Sequence, residues 1–170
     1  MVMKIRLAGL AKESVVDGPG LRSVVFAQGC PRRCPGCHNP DALDPDGGQE
    51  VDIDEIVSTI VKNPLVKGVT FSGGDPFLQA AGFAALAGKL KDRGLNILTF
   101  TGYTWEELLA LSERDKNVKK LIELSDIIID GPFIEAEKDL NLAFRGSRNQ
   151  RIIDVKKSLE SDKIVEMELN

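Results

Sequence analysis

The chain predicts an α/β fold, a mostly parallel sheet forming a partial, open β/α barrel. Three observations lead there. Short apolar runs of strand length alternate with segments of helical periodicity, the pattern of successive strand–helix units. Capping residues and glycine stops separate those segments. The 170 residues fall well short of the ~250 that a complete eight-fold barrel takes, so units that curl can close only part of one. The length suits one domain, residues 1–170, with one sizeable core.

Residues 24–27 form the first expected strand, leading into a cysteine-bearing loop. Ile53, Ile56, Val57, Ile60 and Val61 then fall on one helical face, with Asp52 as the cap, which predicts a helix over about 52–62. Residues 66–71 read as the next strand and 77–93 as its helix, stopped by Gly94 where a left-handed cap belongs. A third strand covers 97–101. Thr104 and Glu107 make a T-x-x-E capping box for a helix through Leu111, and Val118, Leu121 and Ile122 add a further turn or two. Residues 127–129 read as a buried strand, and the short apolar stretches 151–155 and 164–169 as two more.

Composition removes several classes of function. The net charge of −4 gives no electrostatic footprint for nucleic acid, and no apolar stretch approaches the ~20 residues that span a bilayer. Gly18-Pro19-Gly20 begins a G-x-G but has Ser23 in place of the third glycine and precedes a strand, so it is no dinucleotide fingerprint; no phosphate-binding P-loop occurs either. The first residues show no apolar signal-peptide core. A soluble protein of the reducing cytoplasm is expected.

The chemistry concentrates in Cys30, Cys34 and Cys37, the only three cysteines, set in one loop as C-P-R-R-C-P-G-C. Three thiols cannot all pair with one another, so the cluster reads as a ligand set. Zinc is one reading, with the only histidine, His38, as fourth ligand, although zinc modules usually separate their ligand pairs by a dozen residues or more. A four-iron cluster is the other: three thiolates would hold three irons and leave the fourth open for chemistry, unlike the four-cysteine ferredoxin pattern. Ser72-Gly73-Gly74-Asp75-Pro76 is the second informative segment, placed between a strand and a helix where ligands gather in open α/β sheets. By itself it also fits an ordinary turn.

The C-x3-C-x2-C spacing resembles the signature of radical S-adenosylmethionine enzymes. Its flanks, D-G-P-G-L-R at 17–22, Gly29, and His38-Asn39-Pro40, resemble the activators of glycyl radical enzymes. T-G-Y at 101–103, S-D-I-I-I-D-G-P-F at 125–133 and R-G-S-R-N-Q at 145–150 resemble the branch acting on anaerobic ribonucleotide reductase; pyruvate formate-lyase activators share the cysteine loop but are longer. The resemblance covers about 17–153. Two departures stand out: Gly36 where many members carry an aromatic, and Asp75 where Glu is common.

The resemblance implies a 4Fe-4S cluster on Cys30, Cys34 and Cys37 and S-adenosyl-L-methionine on its open iron. It implies cofactor contacts by Ser72, Gly73, Gly74 and Asp75, and by His38, Asn39 and Asp130. The cofactor would be cleaved reductively, with a glycyl radical on the reductase as product, and with reduced flavodoxin or ferredoxin as electron donor, since three cysteines build no second cluster. Ordinary alternatives accompany several residues: Asp130 as a strand-end cap, His38 as a neighbour of the ligands, Arg145 and Arg148 as solvated charges, Tyr103 and Trp105 as packing. Two other functions compete, a radical enzyme acting on a small molecule such as a deazapurine synthase, and a non-catalytic zinc or iron–sulfur module.

Overall fold

A computed structural model describes residues 3–30 and 42–169. Seven strands form one sheet in the order β3-β1-β2-β4-β5-β6-β7: β1 (Lys4–Ser14), β2 (Arg22–Ala27), β3 (Gln49–Asp52), β4 (Gly68–Gly73), β5 (Asn96–Phe100), β6 (Ile127–Asp130) and β7 (Arg151–Asp154). The inner four, β2-β4-β5-β6, run parallel. Antiparallel strands flank them, β1 and β3 on one side and β7 on the other. The end strands β3 and β7 are not neighbours, so the sheet stays open, a partial β/α barrel.

Five α-helices lie among the described residues, four between strands and one after β7: α1 (Ile53–Val61), α2 (Ala80–Lys91), α3 (Trp105–Ser112), α4 (Lys116–Leu124) and α5 (Val155–Ser161). All but α2 start at a side-chain cap, Asp52, Thr104, Asp115 and Asp154 accepting from the first free amides of α1, α3, α4 and α5. The Asp52 carboxylate accepts from Asp54 N at α1, and the full capping box of Thr104 and Glu107 opens α3. The segment expected as one helix over 77–93 begins instead as a 3-10 turn, Pro76–Gln79, because Pro76 lacks an amide hydrogen and Asp75 caps the turn through Phe77 N. It ends as expected, with Gly94 left-handed at φ 77°.

Helices α1, α2, α4 and α5 pack in sequence over one face of the sheet, and α3 packs on α4. Between them lies the larger core, where Val25, Val69, Phe71, Ile97 and Ile128 meet Phe83, Leu86, Leu90 and Leu121. Phe71 and Phe83 pack edge to face at 5.0 Å. The opposite, helix-free face carries a smaller apolar cluster of Leu98, Ile127, Ile129 and Ile152, with Phe100 and Phe144 against it. This inner face is where the conserved geometry of a barrel would place side chains rather than helices.

Four further stretches depart from the sequence expectations. β1 and β3 were not foreseen. α5 begins at Val155, where a strand was expected to end, because Asp154 accepts from Lys157 N and starts a helix. Residues 164–169 form no regular strand; they run beside β7 through Asp154 N to Val165 O, Met167 N to Ile152 O, and a single bridge between Ile153 and Glu166.

Candidate functional site

The carboxyl ends of β2, β4, β5 and β6 meet at one end of the sheet, and the described sequence-predicted residues lie there. Cys30 is half-buried, three residues past β2. Cys34, Cys37, His38 and Asn39 lie outside the described residues. Both limbs of the cysteine loop are tied at its neck: Gly29 N donates to Ala42 O at 2.6 Å and Cys30 N to Leu43 O at 3.0 Å. The Gln28 side chain adds a bond to Asp44 O at 2.7 Å.

Gly73 and Gly74 sit beneath that neck. Gly74 N donates to Ala27 O at 2.7 Å and Asp75 N to Gly29 O at 2.8 Å, which binds the end of β4 to the start of the cysteine loop. A β-carbon on Gly74 would stand 2.6 Å from the Gly29 carbonyl carbon and 2.7 Å from Ala42 O, and one on Gly73 2.6 Å from Ala27 N. The paired glycines thus admit backbone: Gly73 that of the end of β2, Gly74 that of the neck of the cysteine loop at Gly29 and Ala42. Gly73 also adopts φ 92°, a conformation that strains any residue with a β-carbon.

Asp75 is fully buried and its carboxylate turns toward β5. It accepts from Phe77 N at 3.0 Å, from Thr101 Oγ1 at 3.0 and 3.1 Å, and from Gly102 N at 2.9 Å. Asp130, equally buried, accepts from Trp105 N at 2.8 Å and pairs with Arg151 Nη2 at 2.5 Å. Arg151 reaches on to Glu106 at 2.7 Å, and these two carboxylates hold its guanidinium well above the ordinary arginine value. Asp130 therefore anchors the start of α3 and the edge strand β7, in keeping with a capping role. Trp105 is core packing, 3% exposed.

Ser72 opens into a cavity of about 460 Å3 on the inner face, walled by Phe100 of β5 and by Phe133, Phe144 and Arg145. Val16 and Asp17, from the loop between β1 and β2, and Lys138, Asp139 and Leu140 also line it. R-G-S-R-N-Q folds around its own last residue: Gly146 N and Ser147 N donate to Gln150 Oε1, and Gln150 Nε2 donates to Gly131 O at 3.1 Å. Arg145 Nη1 donates to Gln150 O at 3.0 Å, while its buried Nε and the buried Asn149 Oδ1 have no hydrogen-bond partner among the described residues.

The family described as "4Fe-4S single cluster domain" matches residues 16–153, a span reaching from the cavity loop to β7. An anaerobic ribonucleoside-triphosphate reductase-activating protein of Vibrio cholerae is 34% identical over 148 residues, covering 81% of this chain and 90% of that protein. The chain belongs to this activating-protein family. A pyruvate formate-lyase-activating enzyme of Staphylococcus aureus is 32% identical over 169 residues, but 95% of this chain accounts for only 66% of that longer relative. Among solved structures, QueE from Escherichia coli superposes with a TM-score of 0.49 at 16% identity, over 60% of this chain and 54% of that one.

The donor chemistry fits the iron–sulfur cofactor of this family. Three soft thiolates occupy one loop, Cys30 stands half-buried at its tied neck, and no fourth cysteine exists anywhere in the chain to close a cluster. Gly29 and Thr101 stand in the sequence only as members of family-like motifs, with no role of their own at the site. Neither carries a chemical signal of its own; each matters through a contact with the Gly74–Asp75 turn.

Proposed function

We propose that this protein generates a glycyl radical on an anaerobic ribonucleoside-triphosphate reductase, using a 4Fe-4S cluster and S-adenosylmethionine. The observation that carries this is the C-x3-C-x2-C loop, its neck tied at the carboxyl end of a parallel sheet, in a chain that shares 34% identity with a reductase-activating protein over 81% of its length. Cys30, Cys34 and Cys37 would hold the cluster; when bound, it supplies the electron that cleaves S-adenosylmethionine and so the hydrogen abstraction from glycine.

The chain's own residues bind and orient. The Ser72 hydroxyl and the Gly73–Gly74 backbone would seat the cofactor beside Cys30, with His38 and Asn39 contributing from the loop. Asp75 and Asp130 would act at one remove, the first by joining the ends of β4 and β5, the second by fixing α3 against β7. The apolar cavity walls, Phe100, Phe133 and Phe144, would keep water from the reacting centre. The proposed electron donor is reduced flavodoxin or ferredoxin, and the proposed compartment is the cytoplasm. A net charge of −4 supports no role for nucleic acid, and no described helix is long and apolar enough to cross a membrane.

The test is anaerobic reconstitution with iron and sulfide, then electron paramagnetic resonance and a 5'-deoxyadenosine assay, with the purified reductase and with pyruvate formate-lyase as separate substrates. A four-iron signal that shifts with S-adenosylmethionine, followed by a glycyl radical on the reductase, is expected. A radical only on pyruvate formate-lyase would reassign the partner. Retained zinc with no deoxyadenosine would overturn the assignment as an enzyme.

A further inference from the structure

Arg22 heads β2 on the inner face, at the opposite end of that strand from the cysteine loop, and is 2% exposed. No carboxylate pairs with its guanidinium among the described residues, and burial pushes its pKa down to about 10. Its donors are spent on neutral acceptors: Thr70 Oγ1 at 2.9 Å, Pro19 O, Val69 O, and both Asn96 O and Oδ1. Thr70 in turn donates to Asp17 O at 2.9 Å.

Two of these bonds end on the loop between β1 and β2. Pro19 O and Asp17 O are tied directly or through Thr70, and Gly18 lies flat on the arrangement: a β-carbon there would stand 2.8 Å from Arg22 Cδ and 3.2 Å from Leu98 Cδ1. The same loop presents Val15 and Val16 to solvent, 68% and 74% exposed, and supplies Val16 and Asp17 to the cavity. A buried cation with no carboxylate in direct contact, helped only at longer range by Asp126, is costly, and apolar residues held outward gain nothing for folding. Both are accounted for if the loop must be held in one place.

We propose that Arg22 is a positioning residue, the pin that fixes the Asp17–Gly20 loop and with it the Val16–Asp17 part of the inner cavity's wall. Among the described residues its hydrogen bonds reach neither Cys30 nor Ser72; its effect passes through the loop to the polypeptide segment that enters the cavity, a role that rests on the glycyl-radical reading above.

The experiment compares wild type with Arg22→Met, which keeps the stem and removes the fork, and with Arg22→Lys and Gly18→Ala, which disturb the same contact if Arg22→Met fails to fold. Hydrogen exchange of residues 15–21 in the apo protein needs no activity. Loss of the anchoring bonds should speed it ~10-fold while α2 amides keep wild-type protection. In the reconstituted enzyme, deoxyadenosine formation without the reductase should stay at the wild-type rate, while KM for the reductase rises ~10-fold. Unchanged exchange in the loop would overturn the pin. Faster exchange with an unchanged KM would overturn the positioning role. A wild type that forms no deoxyadenosine would overturn the functional reading alone, leaving the pin to be decided by exchange.

Discussion

Replacing Gly74 by Ala puts a methyl group into the backbone of the cysteine loop. The new carbon would lie 2.7 Å from Ala42 O and 2.6 Å from the Gly29 carbonyl carbon, about 0.6 Å inside the ~3.3 Å at which carbon and oxygen meet. None of these atoms is the end of a side chain that could rotate away, so the loop neck has to shift. Overpacking of this kind costs about 1–3 kcal/mol. The shift also strains the bonds from Asp75 N to Gly29 O and from Gly29 N to Ala42 O, each worth about 0.5–1.5 kcal/mol net. Together the loss is about 2–6 kcal/mol, a large part of the ~5–15 kcal/mol that holds a domain folded. Urea unfolding of the apo protein and iron content after reconstitution read the two consequences separately. Gly88→Ala in α2, whose nearest neighbour would be Leu124 Cδ1 at 4.0 Å, is the control and should gain about 0.5–1 kcal/mol. An unfolding midpoint and iron content for Gly74→Ala equal to wild type would refute the account of the glycine pair as the seat of the loop.

Asp75→Ala strands the buried donors Phe77 N, Thr101 Oγ1 and Gly102 N and should destabilise by about 1–3 kcal/mol for each donor that water cannot reach; Asp75→Asn, which still accepts, should lose clearly less in the same urea titration. The Arg151 hydrogen bond holds the Glu106 carboxyl below its ordinary 4.5, so the stabilisation it gives is present above pH 4.5 and disappears as pH falls through the lower folded-state value. Glu106→Gln should flatten stability against pH in that acid window and nowhere else, and its small size should reflect the exposure of Glu106, whose side chain is 59% open. Cys30→Ala should lose bound iron after reconstitution while keeping the far-ultraviolet circular dichroism of the wild type, because the neck is tied by backbone bonds that the thiol does not make.

The strand–helix alternation, the Asp52 and Thr104 caps and the Gly94 stop were readable because each is a short-range event. A side-chain oxygen finds an amide two or three residues away, and apolar residues three or four apart share a helical face. β1 escaped although Ile5 and Leu7 alternate with Lys4 and Arg6, because the alternation fails beyond Ala8 and does not announce an eleven-residue strand. α5 escaped because Asp154 closes a strand and caps a helix at once.

The proposed ligand set was legible in the sequence alone, three thiols at fixed spacing in one loop, since donor type and spacing are properties of the local chain. What each surrounding residue does was decided only by the tertiary structure. Asp75 reaches across 26 residues to Thr101, and Arg22 across 48 to Thr70 and 74 to Asn96. The same is true of the glycine pair, where the tertiary structure brings the end of β2 against Gly73 and the Gly29 and Ala42 backbone against Gly74. Contacts at such separations form only once the parallel strands are side by side, so no local pattern encodes which neighbour a buried carboxylate or guanidinium will meet.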